Sequence, residues 1–255
     1  MKLITFIFDL VDIVGRTPTI YKIRLTPNET GVDIYALSGE DSKVGVFVLL
    51  GKTKEPIEGL NCVIGLHGLE HIAKIMRSPG FSRANATAEF KCEKHSDDHY
   101  YKYIEVKNSN DHSYKINYIQ TENVDSEFKQ AKLKRAVTYE VNAIPQENGL
   151  KSMKYWMKET IENGGKPAIT PFTSGTQLKV IMSTSGFNDV EYPFSSSTDG
   201  HLQKKHSYSC QTIYDLCSLV NETKRTVIGF DSKGLCKISI ETTYLQYDFL
   251  IPADA

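Results

Sequence analysis

His67, Glu70 and His71 stand in the order H-x-x-E-H, the inverted form of the zinc-protease pattern. Zinc chemistry of that kind needs two imidazoles one helical turn apart and a carboxylate beside them to polarise water. A zinc-dependent hydrolase is therefore one reading of the chain. Against it, Gly68 falls inside the would-be site, and no later helix offers an evident third carboxylate ligand with a supporting partner. The three residues read better as a polar helix start. Cys92, His95 and His99 could form part of a metal cluster, but Asp97 and Asp98 lie between them and no fourth ligand follows at zinc-finger spacing. That segment, Glu93 to His99, reads as a charged hairpin tip. Gly164-Gly165-Lys166 lacks the glycine spacing and the Ser/Thr of a phosphate loop, and Pro167 follows, so it reads as a helix stop. No G-x-S-x-G elbow occurs. With no catalytic residue, metal ligand or cofactor to assign, a non-enzyme is expected.

The cations are more informative by position. Lys74 and Arg77 lie three apart on the side of a 67–77 helix away from its apolar quartet, and His71 precedes Lys74 by the same step. After Pro145, Lys151, Lys154 and Lys158 follow a 3-4 spacing beside the Leu150, Met153, Met157 and Ile161 face of another helix. Phosphate binding needs only cations aimed at one surface, with no demand for base-edge geometry. Lysines on exposed helix faces usually do no more than solvate them. Two helices in different halves of the chain, both with outward cations, point beyond that to contact with nucleic acid.

The elements that must position these cations occur twice. Leu69, Ile72, Ala73 and Met76 repeat as Ile213, Leu216, Cys217 and Val220, the same 3-4-3 apolar spacing 144 positions on. Each quartet is one face of a short helix, because side chains three and four apart share a side. A strand-like run with Val32, Ile34 and Ala36 precedes the first, and Leu178, Val180 and Met182 precede the second, 146 positions on. The amphipathic start, Leu3 to Val14, has its counterpart in Leu150 to Ile161. The pattern predicts two copies of one module, helix, strands, helix, strands, spanning 1–120 and 136–255. The charged, non-alternating stretch 121–135 reads as the connector between them.

Within the first module, residues 3–14 carry a narrow polar stripe of Thr5, Asp9, Asp12 and Arg16 on an otherwise apolar helix, which predicts deep burial. Strands are predicted at 20–25 and 32–37 around a Thr26–Gly31 turn, at 44–50, 60–66, 86–92, 100–107 and 113–119. The second module predicts strands at 136–143, 167–173, 177–184 and 189–194, a helix at 210–221, and a closing antiparallel meander over 227–230, 235–242 and 245–251. The fold class is α+β.

Composition sets outer bounds. Among 255 residues, 40% are hydrophobic and 24% charged, as in ordinary globular proteins, and the net charge of -1 argues against a body coated in basic charge while leaving room for a basic patch. The five cysteines are odd in number and form no C-x-x-C pair, so they read as reduced thiols of a cytoplasmic protein. Asp9 and Asp12 interrupt the apolar start and no cleavage site follows, so no targeting signal is assigned, and no apolar run reaches membrane-spanning length.

With doubled modules and outward lysines, the chain resembles a DNA sliding clamp of the proliferating cell nuclear antigen type and its bacteriophage relatives. Glu40-Asp41-Ser42-Lys43-Val44-Gly45-Val46 resembles the D-S-S-H-V-S-L-V stretch of that family. Ala73-Lys74-Ile75-Met76-Arg77 resembles its S-K-I-L-K helix, and Leu245 to Ala253 its closing L-K-Y-Y-L-A-P. The resemblance implies a ring of six modules, here a homotrimer, threaded by duplex DNA and tethering a polymerase; a clamp-like scaffold that does not encircle DNA is the alternative on the same fold. It further implies a clamp loader, a viral or phage origin, and a place in the cytoplasm at the site of replication. His71, Lys74 and Arg77, and by their helix Lys151, Lys154 and Lys158, would face DNA. Partner peptides would dock against Val44, Val46, Tyr247, Leu250 and Pro252, and the ring would close through strand edges at 113–120 and 176–184. The first helix departs from the family in offering Asp9 and Asp12 where cations are usual, with only Arg16 at its end.

Overall fold

The computed structural model describes residues 1–17, 20, 22–37, 48–95, 98–110, 112–119, 138–184, 187–219 and 225–254. The connector assigned to 121–135, and Val44 and Val46, lie outside them. The chain divides into two compact units: Met1–Gly39, Val48–Lys132 and Tyr244–Gln246 in the first, Glu40–Phe47, Leu133–Thr243 and Tyr247–Ala255 in the second.

The first unit opens with α1 (Leu3–Ile13), which has no capping side chain and forms because nine of its eleven residues are buried. Strands β1 (Lys22–Asn28), β2 (Gly31–Leu37), β3 (Val48–Thr53) and β4 (Ile64–His67) follow, then α2 (Leu69–Met76). Strands β5 (Ala86–His95), β6 (Asp98–Asn108) and β7 (Ser113–Ile119) complete the unit. The Thr26–Gly31 turn is shorter than predicted. Asn28 accepts from the backbone N–H groups of Thr30 (2.9 Å) and Gly31 (2.8 Å), so β1 stays paired up to Pro27 and Asn28. The 93–99 tip contracts in the same way, since β5 pairs with β6 out to His95 and Asp98.

The second unit has β8 (Val141–Ala143), α3 (Glu147–Glu162), β9 (Ala168–Ser174), β10 (Gln177–Thr184), β11 (Phe187–Ser195) and the two-residue β12 (Tyr208–Ser209). Helix α4 (Cys210–Ser218) follows, capped by Ser209, whose hydroxyl accepts from the Thr212 N–H at 3.4 Å. Strands β13 (Arg225–Phe230), β14 (Leu235–Glu241) and β15 (Leu245–Pro252) close it.

Strand order repeats as well. The first unit orders β4-β1-β2-β3 and the second β12-β9-β10-β11, with antiparallel pairing at the matching steps. The residues carrying the sequence repeat do the same work in both. Val32, Ile34 and Ala36 are buried, and so are Leu178, Val180 and Met182. So are Leu69, Ile72, Ala73 and Met76 on α2, and Ile213, Leu216 and Cys217 on α4.

The register of α3 differs from prediction. Its buried face is Gly149, Met153, Met157 and Thr160, while Leu150 is half-buried and Ile161 is 52% exposed. The cause is Gly149, where a Cβ would come within 3.0 Å of Phe194 on β11. A Cβ there would press on the β11 backbone, and hydrogen in its place lets the helix turn its start onto the sheet. At the other end the Thr160 hydroxyl donates to the Trp156 carbonyl (2.8 Å), which lets a polar residue sit inside.

The edges differ too. Strand β10 lies between β9 and β11 and is paired on both sides, so 176–184 is not an open edge; β11 is the outer strand of that sheet. In β7, residues 113–117 are paired with β6, and β4 meets only Tyr118 and Ile119.

Candidate nucleic-acid interface

His67 ends β4, Gly68 takes a left-handed conformation (φ 65°), and α2 starts only at Leu69. The two imidazoles of H-x-x-E-H therefore belong to a strand and a helix, not to one helical face, and the spacing that zinc chemistry requires is not met. Glu70 pairs with Lys74 at 2.7 Å, and His71 meets the Tyr114 ring edge-on at 6.0 Å. Among the described residues no group of three or more His, Cys, Asp or Glu is placed to hold a metal ion.

In the first unit His71, Lys74 and Arg77 are all exposed, and the two cations also have partners within the unit. Lys74 lowers the Glu70 pKa, first through the hydrogen bond and then through its charge. Arg77 donates from Nη2 to the Val11 carbonyl on α1 (2.7 Å), so its guanidinium joins the ends of two helices. Gly15 lies in the same junction, where a Cβ would meet that of Ala73 at 2.8 Å. The acidic stripe of α1 has an equally local explanation. Asp9 is 6% exposed, and Arg83 bridges Asp9 (2.5 Å) and Asp12 (3.0 Å) while lying 5.9 Å from the centre of the Phe8 ring. Burial works against the Arg83 charge, but the two carboxylates outweigh it and hold its pKa above the ordinary value. Asp9 and Asp12 are thus structural, and sequence reading missed Arg83 because a loop residue carries no periodic signal.

The second unit displays three cations on one helix. Lys151, Lys154 and Lys158 are all exposed on α3. Lys151 pairs with Glu147 (2.7 Å) and Lys158 with Glu162 (3.5 Å), both one turn away and open to water. Such water-exposed pairs are weak and exchange readily for a stronger anion. Lys154 has no ion-pair partner among the described residues. Helix α4 adds none, since its sequence has no Lys or Arg, and burial raises the Asp215 pKa against a hydrogen bond from Gln211 (2.7 Å).

The residues assigned to partner docking part company. Tyr247 is 0% and Leu250 4% exposed, because β15 alternates its large side chains into the core, and Pro252 is half-buried. Tyr247 and Leu250 are core residues, so they form no surface patch. Among the described residues no helix is long and apolar enough to cross a membrane.

No protein-family model matches the sequence, and no curated protein does either. Solved structures match along almost its full length. The proliferating cell nuclear antigen (PCNA) of Entamoeba histolytica is 13% identical with TM-score 0.65, over 98% of this chain and 95% of that one. The A. fulgidus PCNA solved with the C-terminal region of FEN-1 is 11% identical with TM-score 0.66, over 97% and 96%. The PCNA2-PCNA3 complex of Sulfolobus tokodaii gives 13% and TM-score 0.62, over 98% and 96%. The chain has the PCNA-like clamp fold, an α+β architecture of helices on antiparallel sheets.

Proposed function

We propose that this protein is a DNA polymerase sliding clamp: a non-enzymatic ring subunit whose copies encircle duplex DNA and tether a replicative polymerase and other partners. The observation that carries the reading is a clamp fold extending over 97–98% of the chain. In this reading α3 holds phosphates through Lys151, Lys154 and Lys158, helped by His71, Lys74 and Arg77 at α2, loosely enough for the ring to slide. Tethering raises the polymerase's effective concentration at the primer end and so its processivity. The ring is a homotrimer, closed head to tail between residues 113–117 of β7 on one copy and the outer strand β11 of the next. A loader opens it, and the setting is the host cytoplasm in a viral or phage infection.

The A. fulgidus relative is bound to the C-terminal region of FEN-1, and PCNA2 and PCNA3 of Sulfolobus tokodaii form a complex, which supports short-peptide partners and clamp-to-clamp assembly here. Peptides would dock on Val44, Val46 and Pro252, with Tyr247 and Leu250 as buried backing.

Two measurements test this. Light scattering should give a mass of three subunits, and a strict monomer at replication concentrations would sink the ring. Changing Lys74, Lys151, Lys154 and Lys158 together to Glu should abolish clamp-dependent synthesis with the oligomer intact. Full processivity in that variant would remove the assigned lining.

A further inference from the structure

Among the described residues the large hydrophobic side chains left exposed are Ile144 (54%), Tyr155 (56%) and Ile161 (52%). Two lie on α3, and Ile144 stands just before it. At 100° per residue, Lys151, Lys154 and Lys158 form one row along the helix, bordered by Tyr155 on one side and Ile161 on the other. From Lys151 to Lys158 the helix carries three cations and no acidic residue. Tyr155 lies four residues after Lys151 and three before Lys158, so along the axis it sits between them and neighbours both. Its ring packs edge-on against Trp156 (centroids 5.0 Å, 83°) while remaining 56% exposed.

Phosphate binding accounts for the lysines but not for a tyrosine more than half exposed. In a duplex the bases are stacked on one another, and an aromatic ring on a helix surface meets only sugar and phosphate. An unpaired base offers a free π-face, and cations interleaved with an aromatic platform are how sequence-tolerant single-strand binding is built. The three lysines span about 10 Å along the axis, room for roughly three nucleotides. We propose that the outward face of α3 binds single-stranded DNA, with Tyr155 as the stacking platform for an unpaired base and Lys151, Lys154 and Lys158 on the flanking phosphates. The inference rests on reading α3 as a DNA-facing helix. It adds that this face prefers gaps and junctions, where bases are unpaired, to uninterrupted duplex.

The test is unusually direct because Trp156 is the only tryptophan in the chain. Its fluorescence in the full-length protein should change on titration with a 12-nucleotide oligo-dT and revert on adding salt. Tyr155→Ala should weaken oligo-dT binding roughly tenfold or more while leaving affinity for a blunt duplex within about twofold. Tyr155→Phe, which keeps the ring and loses the hydroxyl, should bind like the parent. The Lys154→Glu, Lys158→Glu double variant should weaken both DNAs. Unchanged oligo-dT binding by Tyr155→Ala, with both DNAs weakened by the lysine variant, overturns the stacking platform and leaves the clamp reading standing. If the lysine variant also binds both DNAs like the parent, the DNA-facing assignment of α3 fails too.

Discussion

Helices α1 and α3 occupy the same place in the order of their units, yet they are built in opposite ways. Helix α1 buries nine of eleven residues, and the cations near it serve the fold: Arg83 neutralises Asp9 and Asp12, and Arg77 holds the Val11 carbonyl. Helix α3 buries four of sixteen residues and leaves three lysines and a tyrosine in water. One backbone plan therefore tolerates two uses of charge. A cation beside a buried carboxylate is committed, because leaving that carboxylate unpaired would be costly, whereas a cation in a surface i,i+4 pair stays available.

The helices that do match, α2 and α4, set the largest expected effect. Leu69→Ala and Ile213→Ala remove equivalent, fully packed side chains, and each should cost about 2–5 kcal/mol in urea unfolding. A cost at one position and none at the other would show that the repeat is one of pattern only. Next comes Arg83→Met, which leaves Asp9 buried with its cation gone. Because Arg83 is itself 48% exposed, the loss should be about 1–3 kcal/mol, below the range for fully buried pairs. Asp9→Asn in that background should restore much of it. Full stability in Arg83→Met would erase the contrast between the units.

Mutating the α3 lysines should do the reverse. Changing Lys151, Lys154 and Lys158 to Met should move stability by no more than about 0.5 kcal/mol, yet lower the slope of log affinity against log salt for duplex DNA by about 2.7. A stability loss as large as that of Arg83→Met would mean that these lysines, too, belong to the fold. The smallest effect concerns pH. Lys74 and Lys151 lower the pKa values of Glu70 and Glu147, each through a hydrogen bond first, so the folded values lie below 4.5. Depressed carboxylate values contribute stability above pH 4.5 that is lost as pH falls through the folded values. Glu70→Gln and Glu147→Gln should each remove only a slight dependence in that acid range, equal in the two units. An unequal response would place one pair in a less watery setting than its exposure indicates.

Much of this was legible from residue order. The apolar quartets, the matched strand runs and the deep burial of residues 3–14 all follow from periodicity, since a face that must leave water repeats at the spacing of its helix or strand. The helix register of α3 was not legible, because it turns on how close Gly149 comes to Phe194, a contact 45 residues apart in sequence. Nor was the pairing of β10 on both sides, because alternation says which face is buried and nothing about what lies beside a strand. Tyr247 and Leu250 misled for a related reason: apolar residues near an expected docking surface look the same in sequence whether they form it or lie beneath it.

Sequence alone determined the doubled plan, helix, strands, helix, strands, because hydrophobic spacing is a local property of the chain. Only tertiary structure decided which charges are spent and which are offered. Arg83 reaches Asp9 from 74 residues away, and no local pattern encodes that meeting. An ion pair depends on where folding brings two groups and how much water it leaves between them.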